Sequence, residues 1–178
     1  MYEIIAQAVG IVAMLFNIFS YQQKSAKRII GFQLFGGLLF AVNFFMLEAY
    51  IGAILNLVAF IRAILFLKKD KLHTDHIAWF AGFCCTYIAA YVLTFTVFNQ
   101  AVTVPNLIVE CLPVVGMVFT NLAFRHNDAK IIRRLCLVSS CVWLVYNSLA
   151  LAVGAIACEA FSIVSIFIAM VRLDKNKA

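Results

Sequence analysis

Apolar residues run through this chain in seven long blocks, each closed by a turn signal or a cluster of charge. The blocks extend from about Ile4 to Tyr21, Ile30 to Leu47, Ala49 to Leu67, Ile77 to Phe98, Val104 to Phe124, Ile131 to Leu151 and Val153 to Val171. A helix needs ~20 apolar residues to cross the hydrocarbon core of a bilayer, within a range of about 17–25. The pattern therefore predicts an all-α, polytopic membrane protein with seven transmembrane helices. The turns at Glu48–Tyr50 and Ala152–Gly154 are short enough to make the helices they join antiparallel neighbours. The first block lacks a basic leader and a convincing cleavage site, so it is expected to remain as a helix rather than act as a signal peptide.

Charge orients these helices. The fourteen Lys and Arg residues fall into four groups: Lys24 to Arg28, Arg62 to Lys71, Arg125 to Arg134, and Arg172 to Lys177. With seven crossings, every group lies on the same side. Six crossings would break that pattern. Basic residues are retained in the cytoplasm during insertion, so the expected topology has the N-terminus outside and the C-terminus cytoplasmic, in the cell inner membrane. Hydrophobic residues make up 65% of the chain and charged residues 12%, against roughly 25% charged in soluble domains. The net charge of +6 thus points to lipid headgroups rather than nucleic acid.

The chain also repeats. At an offset of 103 residues, Val12 meets Val115, Met14 meets Met117, Phe16 meets Phe119, Ala26-Lys27 meets Ala129-Lys130, and Leu34 meets Leu137. The basic turn and the tight turn recur in step. Each unit holds three helices and ends on the side opposite its start, so one extra crossing brings both units into the same orientation. This gives a first repeat over residues 1–71, a linker helix within 72–100, and a second repeat over 101–178, a parallel arrangement found in transporters.

Polar residues recur on one helix face at three- and four-residue steps. The stripes are Gln7, Gly10, Met14, Asn17 and Tyr21; Gln33, Gly36, Phe40 and Asn43; Asn106, Glu110, Pro113, Met117 and Asn121; and Cys136, Ser140, Trp143 and Asn147. They read either as interhelical hydrogen bonds, worth about 0.6–2 kcal/mol each, or as the lining of a shared path. Glu110 and Glu159 each lie about a turn and a half inside a predicted helix. A carboxylate near mid-membrane costs roughly 2.5–3.5 kcal/mol, which protonation removes. Both are candidates for proton coupling, with neutral hydrogen bonding as the alternative. Gly10 and Pro113 coincide in the repeat and are candidate hinges, since Pro removes a helical donor. Arg62, near the end of its block, is expected to snorkel to the interface.

Other chemistry is thin. The six cysteines lie within the crossings and form no Cys-x-x-Cys pair, so they read as small apolar packing residues. His73-x-x-His76 with Asp75 sits in a short charged loop and is not taken as a metal site. No phosphate loop, nucleophile elbow or metalloprotease motif is present. The chain is expected to be neither an enzyme nor a cofactor carrier.

The stretch Phe32-Gln33-Leu34-Phe35-Gly36-Gly37-Leu38-Leu39-Phe40, continued by Ala49-Tyr50-Ile51-Gly52-Ala53 and Leu55-Asn56-Leu57, resembles the YgjV-type bacterial inner membrane proteins. More distantly the layout is similar to the SWEET, SemiSWEET and PnuC transporters, which share a three-plus-one-plus-three plan. In SWEET proteins a Trp of the second helix and an Asn of the third face the substrate. The resemblance puts Trp143 and Asn56 at those positions, with Phe40 and Glu159 at the equivalent positions of the other repeat. Tyr21-Gln22-Gln23 replaces the Pro-Gln loop signature. The resemblance implies a transporter of a small polar solute, sugar-like or nucleoside-like, or a receptor or scaffold on the same fold. Its site would comprise Asn56, Glu159, Phe40, Trp143, Asn43 and Asn147, with Phe40 and Trp143 facing each other across the pseudo-twofold axis.

The one-sided charge makes a labelling prediction. In a cysteine-free background, Glu48→Cys and Asn99→Cys should react with an impermeant thiol reagent from outside intact cells. Lys71→Cys and Lys175→Cys should react only after permeabilisation. Labelling of position 71 in intact cells would reverse or break the topology.

Overall fold

Four of the described helices begin where a side-chain oxygen or nitrogen caps them. The computed structural model describes residues 2–47, 50–97 and 99–174 and is all-helical over them, so Glu48, Ala49, Phe98 and Lys175 lie outside the described residues. Helix α1 spans Tyr2–Tyr21. Ser25 caps α2 (Ala26–Met46) by accepting from the Arg28 amide. Helices α3 (Tyr50–Leu67) and the short α4 (Lys69–Leu72) follow. The His76 Nδ1 caps α5 (Ile77–Thr96), and Thr103 caps α6 (Val104–Arg125). The Asp128 carboxylate accepts from the Lys130 amide at 2.8 Å to start α7 (Ala129–Leu149). Helix α8 (Val153–Ala169) ends in a π-helical turn, Met170–Asp174.

The caps move two boundaries. Helix α2 starts at Ala26 rather than Ile30, and α7 at Ala129 rather than Ile131. Lys27, Arg28 and Lys130 therefore ride on first turns instead of lying in loops. Among the described residues, five helices are long and apolar enough to cross a membrane: those covering Ile4–Tyr21, Ala26–Met46, Ile77–Thr96, Val104–Arg125 and Val153–Asp174. In α3 the apolar stretch Ala53–Leu67 is shorter, and α7 carries three basic residues near its start.

Sequential helices pack side by side, α1 on α2 on α3 and α6 on α7 on α8. The two triplets meet along three seams: α1 against α8, α3 against α6, and α2 against α7. Helix α5 lies against α6, tied by the Tyr91 hydroxyl donating to the Leu107 carbonyl at 3.1 Å. Its Phe83 stacks on Phe66 of α3.

Hydrogen bonds gather the four basic groups at one end of the bundle. Lys27 pairs with Asp70 at 2.8 Å, and the bond and charge of Lys27 hold the Asp70 carboxyl below its usual pKa. Lys69 donates to the Arg125 and His126 carbonyls and to Asn127 Oδ1 at 2.7–3.1 Å. It thereby satisfies carbonyls that the C-terminus of α6 leaves without helical partners. Burial lowers the pKa of the Lys69 ammonium, against the opposing pull of Asp75 and Asp70. Arg172 donates to Gln22 Oε1 at 2.9 Å.

Arg133 closes the ring. It is 2% exposed and donates to the Gln23 carbonyl at 2.9 Å and, through two nitrogens, to the Asp174 carboxylate. The large buried side chains, including Ile29, Ile30, Phe66, Phe124, Ile132 and Ile166, cluster toward this same end. Toward the opposite end the buried apolar residues Ala6, Ala13, Ala41 and Ala53 are small. Large apolar residues such as Ile4, Phe45 and Leu149 face outward along the helices, as lipid-facing side chains do.

Removing one partner of a buried ion pair leaves the other charge uncompensated, at a cost of about 3–5 kcal/mol. Arg133→Met should therefore lower stability in detergent by about that amount, and Arg133→Met with Asp174→Leu should recover part of it. Denaturation curves of the two variants check this; equal losses would mean that the pair is not coupled.

Candidate functional site

The polar stripes meet neighbouring helices at small residues. On α1 and α2 the arrangement is reciprocal. The Asn43 amide lies against Gly10, where a Cβ would approach Nδ2 at 3.0 Å, and donates to the Ala6 carbonyl at 2.7 Å. Asn17 in turn lies against Gly36, where a Cβ would stand 3.1 Å from Oδ1. Only residues without a side chain let each amide sit this close to the partner backbone. Below them Gln33 donates to Ser20 Oγ at 3.2 Å, and Ser20 donates to the Asn17 carbonyl at 2.6 Å.

On α6 and α7 the equivalent contact uses an indole. Trp143 lies over Gly116, and a Cβ there would fall 2.7 Å from the indole Nε1. The Ser139 hydroxyl donates to the Gly116 carbonyl at 2.8 Å and meets the Thr120 hydroxyl at 2.9 Å. The Trp143 ring stands edge-on to Tyr146, with centroids 5.8 Å apart. Tyr146 is within reach of the Glu110 carboxyl one helix away. Pro113 is buried inside α6, which continues through it without a break.

Glu159 of α8 is half-buried and faces the Ser140 hydroxyl of α7. The buried Tyr21 phenol of α1 faces the same hydroxyl, and Cys136 of α7 lies beside both. A carboxyl, a phenol, a hydroxyl and a thiol thus converge where α1, α7 and α8 meet. Asn56 of α3 is half-buried at the α2 contact, with its carbonyl 3.6 Å from the Cβ position of Gly37. Phe40 stacks on Phe44 of its own helix at 6.1 Å. Phe40 and Trp143 thus make their ring contacts with neighbours on their own helices. Asn147 is buried near the end of α7, where its carbonyl accepts from the Ala152 amide at 3.0 Å.

Arg62 corrects the sequence expectation. It does not snorkel: it is 5% exposed and turned into the bundle. It donates to the Tyr87 hydroxyl of α5 at 2.8 Å and to the Met117 carbonyl of α6 at 3.4 Å, with its guanidinium 5.1 Å from the Phe124 ring centre. Among the described residues its Nε has no hydrogen-bond partner. The sequence held only a partial signal: Arg62 continues the row Leu55, Val58 and Ala59 and precedes Phe66 on the same helix face. Arg133 likewise extends the stripe of Cys136, Ser140, Trp143 and Asn147 by one step.

A family model described as "Bacterial inner membrane protein", Imp-YgjV, matches residues 4–177. No curated protein and no solved structure matches the chain.

The close approach at Gly116 is testable. Gly116→Ala forces the Trp143 indole to shift, and overpacking of this kind costs about 1–3 kcal/mol. Gly82→Ala, with nothing within 4 Å of the added methyl, should stay within about 0.5 kcal/mol of the parent. Thermal denaturation with tryptophan fluorescence distinguishes the two; equal stability would mean that the indole is not held against α6.

Proposed function

We propose that this chain, which belongs to the Imp-YgjV family of bacterial inner membrane proteins and is an integral, multi-pass protein of that membrane, carries a small polar solute by alternating access. In this reading it is not an enzyme. Helices α3 and α7 complete seven crossings with the five long apolar helices, and the basic end faces the cytoplasm. The three-plus-one-plus-three plan resembles that of the SWEET and PnuC transporters.

The observation that carries the reading is the arrangement of the seams. Exchanging α1, α2 and α3 with α6, α7 and α8 turns the α1·α8 seam into the α6·α3 seam and returns α2·α7 to itself. Details support the exchange. A shift of 103 residues takes Gln22 to Arg125 and Lys69 to Arg172. Lys69 bonds the Arg125 carbonyl, and Arg172 bonds Gln22. Two like units that meet along matched seams can rock about the axis between them.

The α1·α8 and α3·α6 seams are bonded at the basic end. Gln22 donates to Ser165 Oγ at 2.8 Å, and Ser165 donates to the Ile18 carbonyl at 2.7 Å. The other seam carries the Lys69 and Arg62 bonds. Together with the large side chains clustered there, this supports a state shut toward the cytoplasm, with the small-residue end as the side that opens. Transport then requires these bonds to exchange for others on the opposite face, with Gly10 and Pro113 as bending points. Asn56, Asn43 and Asn147 supply amides to the solute, and Phe40 and Trp143 supply aromatic surface. Glu159, set among Ser140, Tyr21 and Cys136, is the proton-coupling group, with Glu110 beside Tyr146 as a second.

Uptake into proteoliposomes, screened over sugars, nucleosides and vitamin precursors, tests transport itself. One coupled proton across one pH unit drives at most about tenfold accumulation. Glu159→Gln should abolish that accumulation while leaving solute exchange intact. An unchanged pH response in an active variant would remove Glu159 from coupling, and no uptake of any solute by the parent would remove the transport reading.

A further inference from the structure

The basic end holds a cavity of about 250 Å³ that the transport path does not use. It opens between the α1–α2 turn, the start of α7 and the π turn after α8. Its walls carry four cations, Lys24, Lys130, Arg133 and Arg172, and two acids, Asp128 and Asp174. Both acids are committed. The Asp174 carboxylate is held by Arg133, and the Asp128 carboxylate caps α7. With Asp174 matched by Arg133, the cations Lys24, Lys130 and Arg172 outnumber the one remaining acid, Asp128, and the cavity keeps an excess of positive charge. Among the described residues none of these three forms an ion pair with an acid. Arg172 is steadied by a single bond from Nη2 to Gln22 Oε1 at 2.9 Å.

We propose that this cavity is an anion site that takes a phosphate group. Three cations outside any ion pair, with a net positive charge around one recess, suit a tetrahedral oxyanion with several acceptor oxygens, because charge-assisted bonds to phosphate are about twice as strong as neutral ones. The recess is smaller than the ~300–1,000 Å³ typical of pockets for drug-sized ligands. It also lies where the helices end, the level at which an anionic phospholipid presents its phosphodiester. Free phosphate from solution has the same chemistry. The rigid Arg133–Asp174 pair forms one wall, so the site is built before the ligand arrives.

The test uses the full chain purified in a neutral detergent. Native mass spectrometry measures retention of phosphatidylglycerol against phosphatidylcholine, and thermal denaturation measures protection by inorganic phosphate against chloride at equal ionic strength. The parent should prefer the anionic lipid, and Lys24→Gln, Lys130→Gln and Arg172→Gln together should weaken that preference by roughly fivefold per cation removed. A control with Arg28→Gln, Lys68→Gln and Lys71→Gln removes equal charge from the same end and should keep it. Protection by inorganic phosphate in addition identifies free phosphate as a second source, whereas retention of the lipid alone assigns the site to the membrane. If the triple variant fails to fold, Lys130→Gln against Lys71→Gln makes the same comparison. A parent that ignores both phosphatidylglycerol and phosphate, or a control that weakens as much as the cavity variant, overturns the proposal.

Discussion

The structure is organised by the need to place charge and unpaired backbone groups outside hydrocarbon. Each helix leaves carbonyls without helical partners at its end, and each cation of this chain loses hydration if drawn into lipid. Both demands are met at one end of the bundle. Lys69 caps the carbonyls of α6, Arg133 bonds those that close α1, and Arg172 meets Gln22. The basic residues thus fasten the turns to one another while anchoring them outside the apolar layer.

That fastening gives the bundle its polarity. Where turns are tied, helices converge and large side chains fill the space, as Phe66, Phe124 and Ile132 do. Toward the other end contact is through small residues and through amides lodged against glycine, as with Asn43 on Gly10. A membrane interior offers no hydrophobic gain for bringing helices together, so close packing and hydrogen bonds decide where they meet. The proposed carrier cycle uses this gradient. In that proposal the bonds at the basic end have to break for that end to open.

The buried arginines divide into two kinds. Arg133 is matched by a carboxylate at the bundle's edge, and its role is adequately described as a clasp between α1, α7 and the end of α8. Arg62 lies deeper and is held by a phenol, a carbonyl and an aromatic face, with no acid beside it among the described residues. A delocalised guanidinium is more weakly hydrated than an ammonium and tolerates such surroundings. It joins α3, α5 and α6 at one point, so α5 is coupled to a seam between the two triplets.

Much of the fold was legible in the sequence. Apolar block length set the helices, because a chain in lipid has to satisfy its own backbone bonds within each segment. The stripes marked the faces that meet, and the one-sided cations marked a common end. Helix starts were less legible, since Ser25 and Asp128 cap ahead of charged residues that read locally as loop. The candidate site was legible only as a set of residue types. Spacing put Ser140 and Tyr21 on polar stripes, and Glu159 stood out as an acid within an apolar block, but sequence cannot say that faces from α1, α7 and α8 converge, because that depends on which helices of the two triplets pair. The fates of Arg62 and Arg133 were likewise tertiary decisions. A long cation near a helix end can reach outward to water or inward to a partner with equal covalent ease. Only the presence of Tyr87, Met117 and Phe124 around one, and of Asp174 beside the other, decided between them.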